Sequence, residues 1–238
     1  MEHWERLGTL GFYWADELFR PGLDSFLLAA LPRLRPGLRV CDLGCGTGLL
    51  SLLLLERERT LEITGLEILP EAAALAQKSA ARNRLEDRLR FVLGDLREAP
   101  LPAGGFDLVV SNPPYYPIHS GALAEDGPRR RARAEVDCTL TDVCRAAARL
   151  LRWGGSFCVV HKPERLTDLL CGLRESGLEP KRLRLVCRRA EEAPSLLLLE
   201  SRRGGRPGLS IEKPFVLQTP DGRASPELDR AYFKEASL

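Results

Sequence analysis

The stretch Val40-Cys41-Asp42-Leu43-Gly44-Cys45-Gly46-Thr47-Gly48 leads from a short apolar run into three alternating glycines, and a leucine-rich segment follows it. A strand that ends in a glycine turn and continues into a helix lets the backbone approach a small ligand. The spacing is G-x-G-x-G, because position 49, where the dinucleotide fingerprint has its third glycine, is Leu. We therefore predict a small-molecule site at the carboxyl end of a sheet, of a kind other than a dinucleotide site.

Short apolar runs alternate with helical patterns through the rest of the chain. Strands are predicted at residues 39–43, 62–67, 89–93, 107–111, 156–161, 182–188 and 195–201, and helices at 48–57, 71–82, 140–151 and 164–176. We expect Gly154, Gly155 and Gly177 to stop helices. The alternation predicts a doubly wound, mostly parallel sheet. Only residues 190–194 join the last two strands, too few for a crossover helix, so those strands should form an antiparallel hairpin.

This α/β pattern, a seven-stranded, mostly parallel sheet with an antiparallel last strand, resembles the Rossmann-like class I methyltransferase fold. We expect one structural domain with three parts. They are a helical, cofactor-covering extension at 1–37, the methyltransferase domain at 38–203 and a C-terminal tail at 204–238. In the tail, Ser225 and Pro226 have the pattern of the N-cap and first residue of a short helix.

The composition is that of an ordinary globular protein, with 44% hydrophobic and 29% charged residues among 238. A formal net charge of +2 provides no global attraction for nucleic acid, so any such surface must be local. The seven cysteines are scattered among apolar positions, which favours reduced thiols in a cytoplasmic protein. Cys41 and Cys45 lack a second pair at zinc spacing, so we expect no metal site. No apolar run is long enough to cross a bilayer, and we expect no membrane partner.

Acidic residues follow the predicted strands. Glu67 ends the second strand about 20 residues past the glycine loop, where an acid can accept both hydroxyls of a ribose. The methyltransferase resemblance implies S-adenosylmethionine as cofactor, with Asp42 near its methionine end and Asp95 against its adenine amino group. Asp24, expected as a helix N-cap, would lie in an element that covers the methionine part. The expected cofactor-binding residues are Asp24, Asp42, Gly44, Cys45, Gly46, Gly48, Glu67, Ile68, Asp95, Leu96 and Asn112.

The motif Ser111-Asn112-Pro113-Pro114-Tyr115 stands at the end of the fourth predicted strand. Its two prolines hold the backbone extended and remove two donors, which leaves carbonyl oxygens free to accept hydrogen bonds. An exocyclic amine is a poor nucleophile because its lone pair is delocalised, and acceptors for its two hydrogens direct that lone pair toward a sulfonium methyl. We expect the Asn112 side-chain oxygen and the Pro113 carbonyl to be these acceptors, and Tyr115 to stack on a flipped base. Asn112, Pro113 and Tyr115 are the expected catalytic residues.

The same four-residue motif, Asn112 to Tyr115, resembles that of several amino-methyltransferases. They are the N6-adenine methyltransferases of DNA and RNA, the glutamine methyltransferase of release factors and the rRNA guanine methyltransferases. The chain has no room for a DNA target-recognition domain, and only about 43 residues precede Gly44, too few for the helical domain of the release-factor enzyme. Glutamine and rRNA amino-methylation stay as alternatives. A third is an RNA-binding partner with an inactive methyltransferase fold, against which the intact motifs argue.

Five more segments are similar to the bacterial tRNA methyltransferases that form N6-methyladenosine beside the anticodon of a valine tRNA. They are Tyr116-Pro117, Arg133-Ala134-Glu135, Cys138-Thr139-Leu140-Thr141-Asp142-Val143, His161-Lys162-Pro163-Glu164-Arg165-Leu166 and Glu179-Pro180-Lys181-Arg182. The likeness covers residues 19 to 233, although residues 121–130 are richer in arginine and glycine than the family pattern. It implies a tRNA partner, and His161 is either a strand-end histidine or a substrate contact. The expected RNA contacts are Tyr116, Arg129, Arg130, Arg131, Arg133, Lys162 and Arg165, most of them cations that can neutralise phosphates.

Overall fold

The computed structural model describes residues 1–18, 21–115 and 138–233. Its strands are β1 (Glu2–Leu7), β2 (Leu10–Ala15), β3 (Arg39–Leu43), β4 (Glu62–Glu67), β5 (Leu89–Leu93), β6 (Phe106–Ser111), β7 (Leu151–His161), β8 (Leu178–Cys187), β9 (Leu196–Arg203), β10 (Ser210–Ile211) and β11 (Phe215–Val216). Its helices are α1 (Leu23–Ala30), α2 (Leu49–Arg57), α3 (Pro70–Arg82), α4 (Leu140–Leu150), α5 (Leu166–Glu175) and α6 (Pro226–Ala231). Within these residues, no helix is both long and apolar enough to span a membrane.

The main sheet has the order β10-β8-β9-β7-β6-β3-β4-β5, and β11 also pairs with β8. The strands from β5 to β7 pair in parallel, whereas β9 lies antiparallel between β7 and β8. The seven predicted strands are all present, and the predicted antiparallel hairpin is confirmed. The sequence did not predict β10 and β11, because two residues are too few to show an alternating pattern.

Apolar clusters cover both faces of the sheet. In β3, Val40 packs into the cluster that contains α1 and α2, and the next residue, Cys41, packs into the cluster that contains α4. Successive side chains of a strand point to opposite faces, so a strand buried on both sides needs apolar residues at consecutive positions. The carboxyl ends of β3 to β6 thereby meet at one edge between two helical layers.

Helix α2 is buried all round, and this explains the fold of the N-terminal extension. Its first seven residues, 49–55, are all buried, including the polar Ser51. A helix without a polar face needs cover on the side away from the sheet as well. Helix α1 and strand β2 provide that cover, with the side chains of Phe12, Leu27 and Leu28 fully buried.

The N-terminal extension was expected to be helical, and for its first half this is wrong. Strands β1 and β2 form a hairpin around Gly8, whose φ of 56° suits a tight turn. The hairpin is fastened to α3, since Asn83 accepts a hydrogen bond from the Gly11 N–H at 3.0 Å and donates one to the Gly11 carbonyl at 2.6 Å. The helical half is α1 alone, and its N-cap is Gly22 rather than Asp24, because Asp24 lies inside the first turn.

The glycine pair after α4 has a different role from the predicted one. Strand β7 begins at Leu151, directly after α4, so Gly154 and Gly155 lie inside the strand and do not stop the helix. They form an irregularity opposite β6 between Phe106 and Leu108, where Gly154 has a φ of 76°. A bulge of this kind needs a residue that tolerates the left-handed region.

Two other predicted helix ends are confirmed. Gly177 follows α5 with a φ of 76°, and its N–H donates to the Arg174 carbonyl. Ser225 caps α6 by accepting a hydrogen bond from the Leu228 N–H, and Pro226 is the first helical residue. Because β10 and β11 both pair with β8, the tail runs back along the sheet.

Candidate active site

The glycine loop between β3 and α2 has an unusual backbone. Gly44, Gly46 and Gly48 have φ angles of 75°, 54° and 81°, in the left-handed region that side chains disfavour. The N–H groups of Gly44 and Cys45 both donate to the Leu66 carbonyl at the end of β4. A side chain on Gly44 would project into open space, whereas one on Gly48 would meet the Phe91 ring at 2.9 Å. Gly44 thus leaves room for a ligand, and Gly48 leaves room for core packing.

Glu67, at the end of β4, closes the loop from the other side. Its Oε2 accepts a hydrogen bond from the Gly46 N–H at 2.7 Å, and its Oε1 accepts from the N–H groups of Ile68 and Leu69 at 2.9 Å. Burial raises the pKa of Glu67 although these donors lower it. The three hydrogen bonds hold the Glu67 carboxylate at the edge of the sheet, where a ligand with hydroxyl donors can share its oxygens.

Asp42 is buried under the same loop at 1% exposure. Its Oδ2 accepts a hydrogen bond from Ser51 Oγ at 2.7 Å. Burial raises the pKa of Asp42 to about 7, against the opposing effect of Ser51, and the nearby Glu67 adds to the rise. Asp42 is absent from the walls of the cleft described next, so its contact with the methionine part of the cofactor stays a prediction.

A cleft of about 440 Å³ opens at the carboxyl ends of β3 to β6 and reaches the start of α4. This volume lies within the range of about 300–1,000 Å³ that is usual for small-molecule sites. Seven of the predicted site residues line it: Gly44, Glu67, Ile68, Asp95, Leu96, Asn112 and Pro113. Six others, namely Asp24, Asp42, Cys45, Gly46, Gly48 and Tyr115, lie outside its walls. The walls combine apolar side chains with polar ones, among them the buried carboxylate of Glu67, and this combination fits a nucleoside with a ribose.

Asp95 caps the turn Leu96–Glu98 at the rim of the cleft. Its Oδ1 accepts a hydrogen bond from the Arg97 N–H at 2.8 Å, and the Arg97 guanidinium pairs with both carboxylate oxygens. Arg97 lowers the pKa of Asp95, so this carboxylate is charged at neutral pH. The predicted contact with an adenine amino group requires an oxygen lone pair that Arg97 leaves free.

Sequence analysis missed the contribution of α4 to the cleft. Cys138, Thr139, Leu140 and Val143 all line it, and Thr139 and Asp142 form a capping box at the start of the helix. The pattern T-x-x-D before an apolar run is a helix-start signal, so residues 139–142 could have placed this helix end at the site. The other walls that the sequence did not indicate are Leu43, Leu66, Leu69, Pro70, Glu71, Gly94, Arg97, Ser111 and Pro114.

The turn after β6 is tied to the glycine loop and to α1. Ser111 Oγ donates a hydrogen bond to the Leu43 carbonyl at 2.7 Å, which joins the ends of β6 and β3. Asn112 Nδ2 donates to Ser25 Oγ at 3.3 Å. The Tyr115 hydroxyl lies 2.5 Å from Asp24 Oδ2 and 2.8 Å from Asn112 Oδ1. Asn112 and Tyr115, three residues apart, thus belong to one hydrogen-bonded group with two residues of α1.

Tyr115 packs against the end of β7. Its ring meets the His161 ring edge to face, with centroids 5.2 Å apart, and Lys162 Nζ lies 5.5 Å above it. His161 is fully buried, and its Nδ1 accepts a hydrogen bond from the Lys162 N–H at 2.8 Å. Burial lowers the pKa of His161 to about 4, so the ring is neutral at physiological pH. His161 ends β7, but its buried Nε2 has no hydrogen-bond partner among the described residues, so both roles considered for His161 stay predictions.

The predicted RNA contacts divide into two groups. Lys162 lies over Tyr115 just after the carboxyl end of β7, and Arg165, three residues further on, pairs with Asp168 at 2.7 Å. Tyr116, Arg129, Arg130, Arg131 and Arg133 lie outside the described residues. Within those residues, no group of three or more His, Cys, Asp or Glu could hold a metal ion.

Comparisons with known proteins agree with this geometry. Residues 23–167 match a family model described as the methyltransferase small domain. The chain is 31% identical over 207 residues to a tRNA1(Val) (adenine(37)-N6)-methyltransferase from Tolumonas auensis, an alignment that covers 87% of this chain and 85% of that relative.

Solved structures share the fold. A predicted O-methyltransferase from Agrobacterium tumefaciens superposes with a TM-score of 0.74 at 22% identity, over 90% of this chain and 98% of that one. A geranyl diphosphate methyltransferase in complex with S-adenosylmethionine superposes with a TM-score of 0.54 at 17% identity, over 75% of this chain and 83% of that one. The predicted class I methyltransferase fold is confirmed.

Proposed function

The chain belongs to the methyltransferase small domain family and, within it, to the tRNA1(Val) (adenine(37)-N6)-methyltransferases, and from this premise we propose its reaction and the residues that perform it. It is an S-adenosylmethionine-dependent methyltransferase that modifies the N6 amine of an adenine in tRNA. The adenine is the one at position 37, beside the anticodon of a valine tRNA. A tRNA substrate also fits the reduced, cytoplasmic protein that the cysteines predict.

One observation carries this proposal for the site. Asn112 and Pro113 line the same cleft as Gly44 and Glu67, although the two pairs lie on different strands. The Ser111 hydrogen bond to the Leu43 carbonyl holds the two strand ends together. A donor site and an acceptor site for an amine therefore share one cavity, which is what in-line transfer between two bound molecules requires.

The cofactor residues follow from the walls of the cleft. Glu67 would accept the ribose hydroxyls, Ile68 and Leu96 would enclose the adenine, and Asp95 would face its amino group. Gly44 leaves open space for the backbone to approach the ligand. Gly46, Gly48 and Cys45 shape the loop, and Asp42 supports it from beneath. When bound, S-adenosylmethionine supplies a methyl group on a positively charged sulfur.

The target amine needs acceptors more than it needs a base. Asn112 Oδ1 and the Pro113 carbonyl take its two hydrogens and direct the nitrogen lone pair toward the methyl group. Tyr115 offers its ring for stacking on the flipped base. Lys162 already lies over this ring, and together with Arg165 it places positive charge where RNA phosphates pass. Tyr116 and the arginines at 129, 130, 131 and 133 complete the proposed RNA contacts.

An in vitro reaction with an unmodified valine tRNA transcript and S-adenosylmethionine tests the function. Nucleoside mass spectrometry should find N6-methyladenosine, and digestion mapping should place it at position 37. Asn112→Ala should raise the barrier to transfer by roughly 2–4 kcal/mol with unchanged cofactor affinity, because the acceptor matters most as the amine gains charge.

Asn83→Ala is the matched control, since Asn83 holds the hairpin against α3 and is not part of the cleft. It should transfer methyl groups at the wild-type rate at a temperature where it is folded. The wild-type protein could instead methylate the glutamine of a release factor or a guanine of rRNA and leave the tRNA unmodified. That result would contradict the proposed function and support the corresponding alternative.

A further inference from the structure

Helix α1 presents two adjacent polar side chains to the turn that carries Asn112 and Tyr115. Ser25 accepts a hydrogen bond from Asn112 Nδ2, and Asp24 lies 2.5 Å from the Tyr115 hydroxyl. The helix is held from behind, where Phe26 stacks on Tyr232 with ring centroids 4.1 Å apart. Its position is therefore fixed by packing and does not depend on Asp24.

Asn112 donates from Nδ2 to Ser25 and accepts at Oδ1 from Tyr115, and these two contacts together orient its amide. The Asn112 Nδ2 group points at Ser25, so the carbonyl oxygen, Oδ1, must lie on the opposite side of the amide. On that side Oδ1 is 2.8 Å from the Tyr115 oxygen. The oxygen proposed to receive the target amine thus lies next to a hydroxyl that could occupy it.

Asp24 Oδ2 and Asn112 Oδ1 are both acceptors within reach of the single proton of the Tyr115 hydroxyl. A carboxylate accepts a hydrogen bond about twice as strongly as a neutral amide, and O–H···O⁻ distances of about 2.5–2.7 Å are typical of such bonds. The 2.5 Å separation from Asp24 fits this range, whereas the 2.8 Å separation from Asn112 is that of an ordinary contact. The shorter separation favours the bond with Asp24 as the place of the proton.

We propose that Asp24 is a positioning residue, which holds the Tyr115 proton and so keeps Asn112 Oδ1 available to the target amine. This inference rests on the proposed function of Asn112. With the proton on the Asp24 side, Asn112 Oδ1 keeps its lone pairs for the arriving N–H of the target amine. Without Asp24, the Tyr115 proton turns to Asn112 Oδ1, and the amine must displace it.

Three variants test this role in single-turnover transfer at saturating S-adenosylmethionine and tRNA. Asp24→Ala should slow N6-methyladenosine formation roughly three- to tenfold, the effect of one neutral hydrogen bond that the amine has to displace. Adding Tyr115→Phe to Asp24→Ala removes the competing proton but keeps the ring. The double variant should therefore react faster than Asp24→Ala and match Tyr115→Phe alone.

A purely structural bond between Asp24 and Tyr115 gives a different pattern. Asp24→Ala, Tyr115→Phe and the double variant would then all be equally slow, and this result overturns the proposal. Calorimetric titration of Asp24→Ala with S-adenosylmethionine should show wild-type affinity, and a loss of affinity would reassign Asp24 to the cofactor. Failure of the proposed function is separate, because the wild-type protein itself would then form no N6-methyladenosine.

Discussion

The side chain of Asp42, buried under the glycine loop, makes the stability of the folded protein depend on pH. Burial raises its pKa from 3.8 in an exposed carboxyl to about 7 in the folded protein. The folded state therefore holds this proton more tightly than the unfolded state does. The stability from this group is fully present below about pH 4 and is lost as pH rises toward 7, by up to about 4 kcal/mol.

Asp42→Asn should remove this dependence, because an amide does not titrate. We expect the midpoint temperature of Asp42→Asn, minus that of the wild type, to rise between pH 5 and pH 7 and to level off above the folded pKa of about 7. Thermal unfolding at several pH values measures this difference. Ser51→Ala is the control, since it removes the hydroxyl partner but keeps the carboxylate and its slope. Parallel curves for wild type and Asp42→Asn would show that Asp42 is ionised in the folded protein throughout.

The sequence identified the acids but not their surroundings. Asp42, Glu67 and Asp95 were all named from their positions after strands, and the structure places two of them in the cleft and one beneath it. What each carboxylate bonds to depends on residues distant in the chain, such as Gly46 for Glu67 and Ser51 for Asp42. Periodicity in one strand contains no information about such partners.

At the scale of elements, Asn83 makes two of the hydrogen bonds that fasten the hairpin of β1 and β2 to α3, beside the one from the Tyr13 N–H to Ser79 Oγ. Asn83→Ala removes both hydrogen bonds to Gly11 and should weaken the attachment of the hairpin by about 1–2 kcal/mol. The Gly11 and Tyr13 amides should then exchange with solvent about 5–30-fold faster.

Hydrogen exchange followed by mass spectrometry checks this on peptides from residues 8–15. Asn83→Asp is the matched variant, because it keeps the acceptor for the Gly11 N–H and should show an intermediate rate. Peptides from β3 and β6 serve as internal references. Equal exchange in the hairpin of all three proteins would mean that apolar packing alone holds it.

The elements that the sequence predicted well are those with a strong local pattern. Strands β3 to β6 are apolar at consecutive positions and are separated by helices, so their bounds differ from prediction by one residue at most. The hairpin was missed because β1 is mostly exposed and its stability comes from residues 72 positions away in α3. The bulge at Gly154 was missed for a related reason, because a bulge depends on how β7 pairs with β6 and not on the sequence of β7 alone.

For the whole molecule, the position of the cleft predicts how ligand binding stabilises the fold. The cleft joins four strand ends and α4, so bound S-adenosylmethionine should stabilise the entire sheet. At a hundredfold excess over the dissociation constant, the gain should be about 2.7 kcal/mol. For a chain of this size that corresponds to a rise of roughly 5–10 °C in the midpoint temperature.

Two glycines provide a matched pair for this experiment. Gly44 and Gly37 have φ angles of 75° and 72°, and at both a side chain would enter open space, but only Gly44 lines the cleft. Gly44→Arg and Gly37→Arg should lose similar stability without ligand, about 1–2 kcal/mol. Only Gly44→Arg should lose the ligand-induced rise in differential scanning fluorimetry. An undiminished rise in Gly44→Arg would place the cofactor elsewhere.

The hydrogen bond from Ser111 to the Leu43 carbonyl also has a consequence for synthesis on the ribosome. Its partners are 68 positions apart in the chain. At about 5–20 residues per second, the glycine loop waits roughly 3–14 s for its partner strand to be made. During that interval β3 and the leucine-rich α2 have neither β6 nor the helices that follow β6 beside them. Newly made chains are therefore most exposed to aggregation and to chaperones before Ser111 emerges.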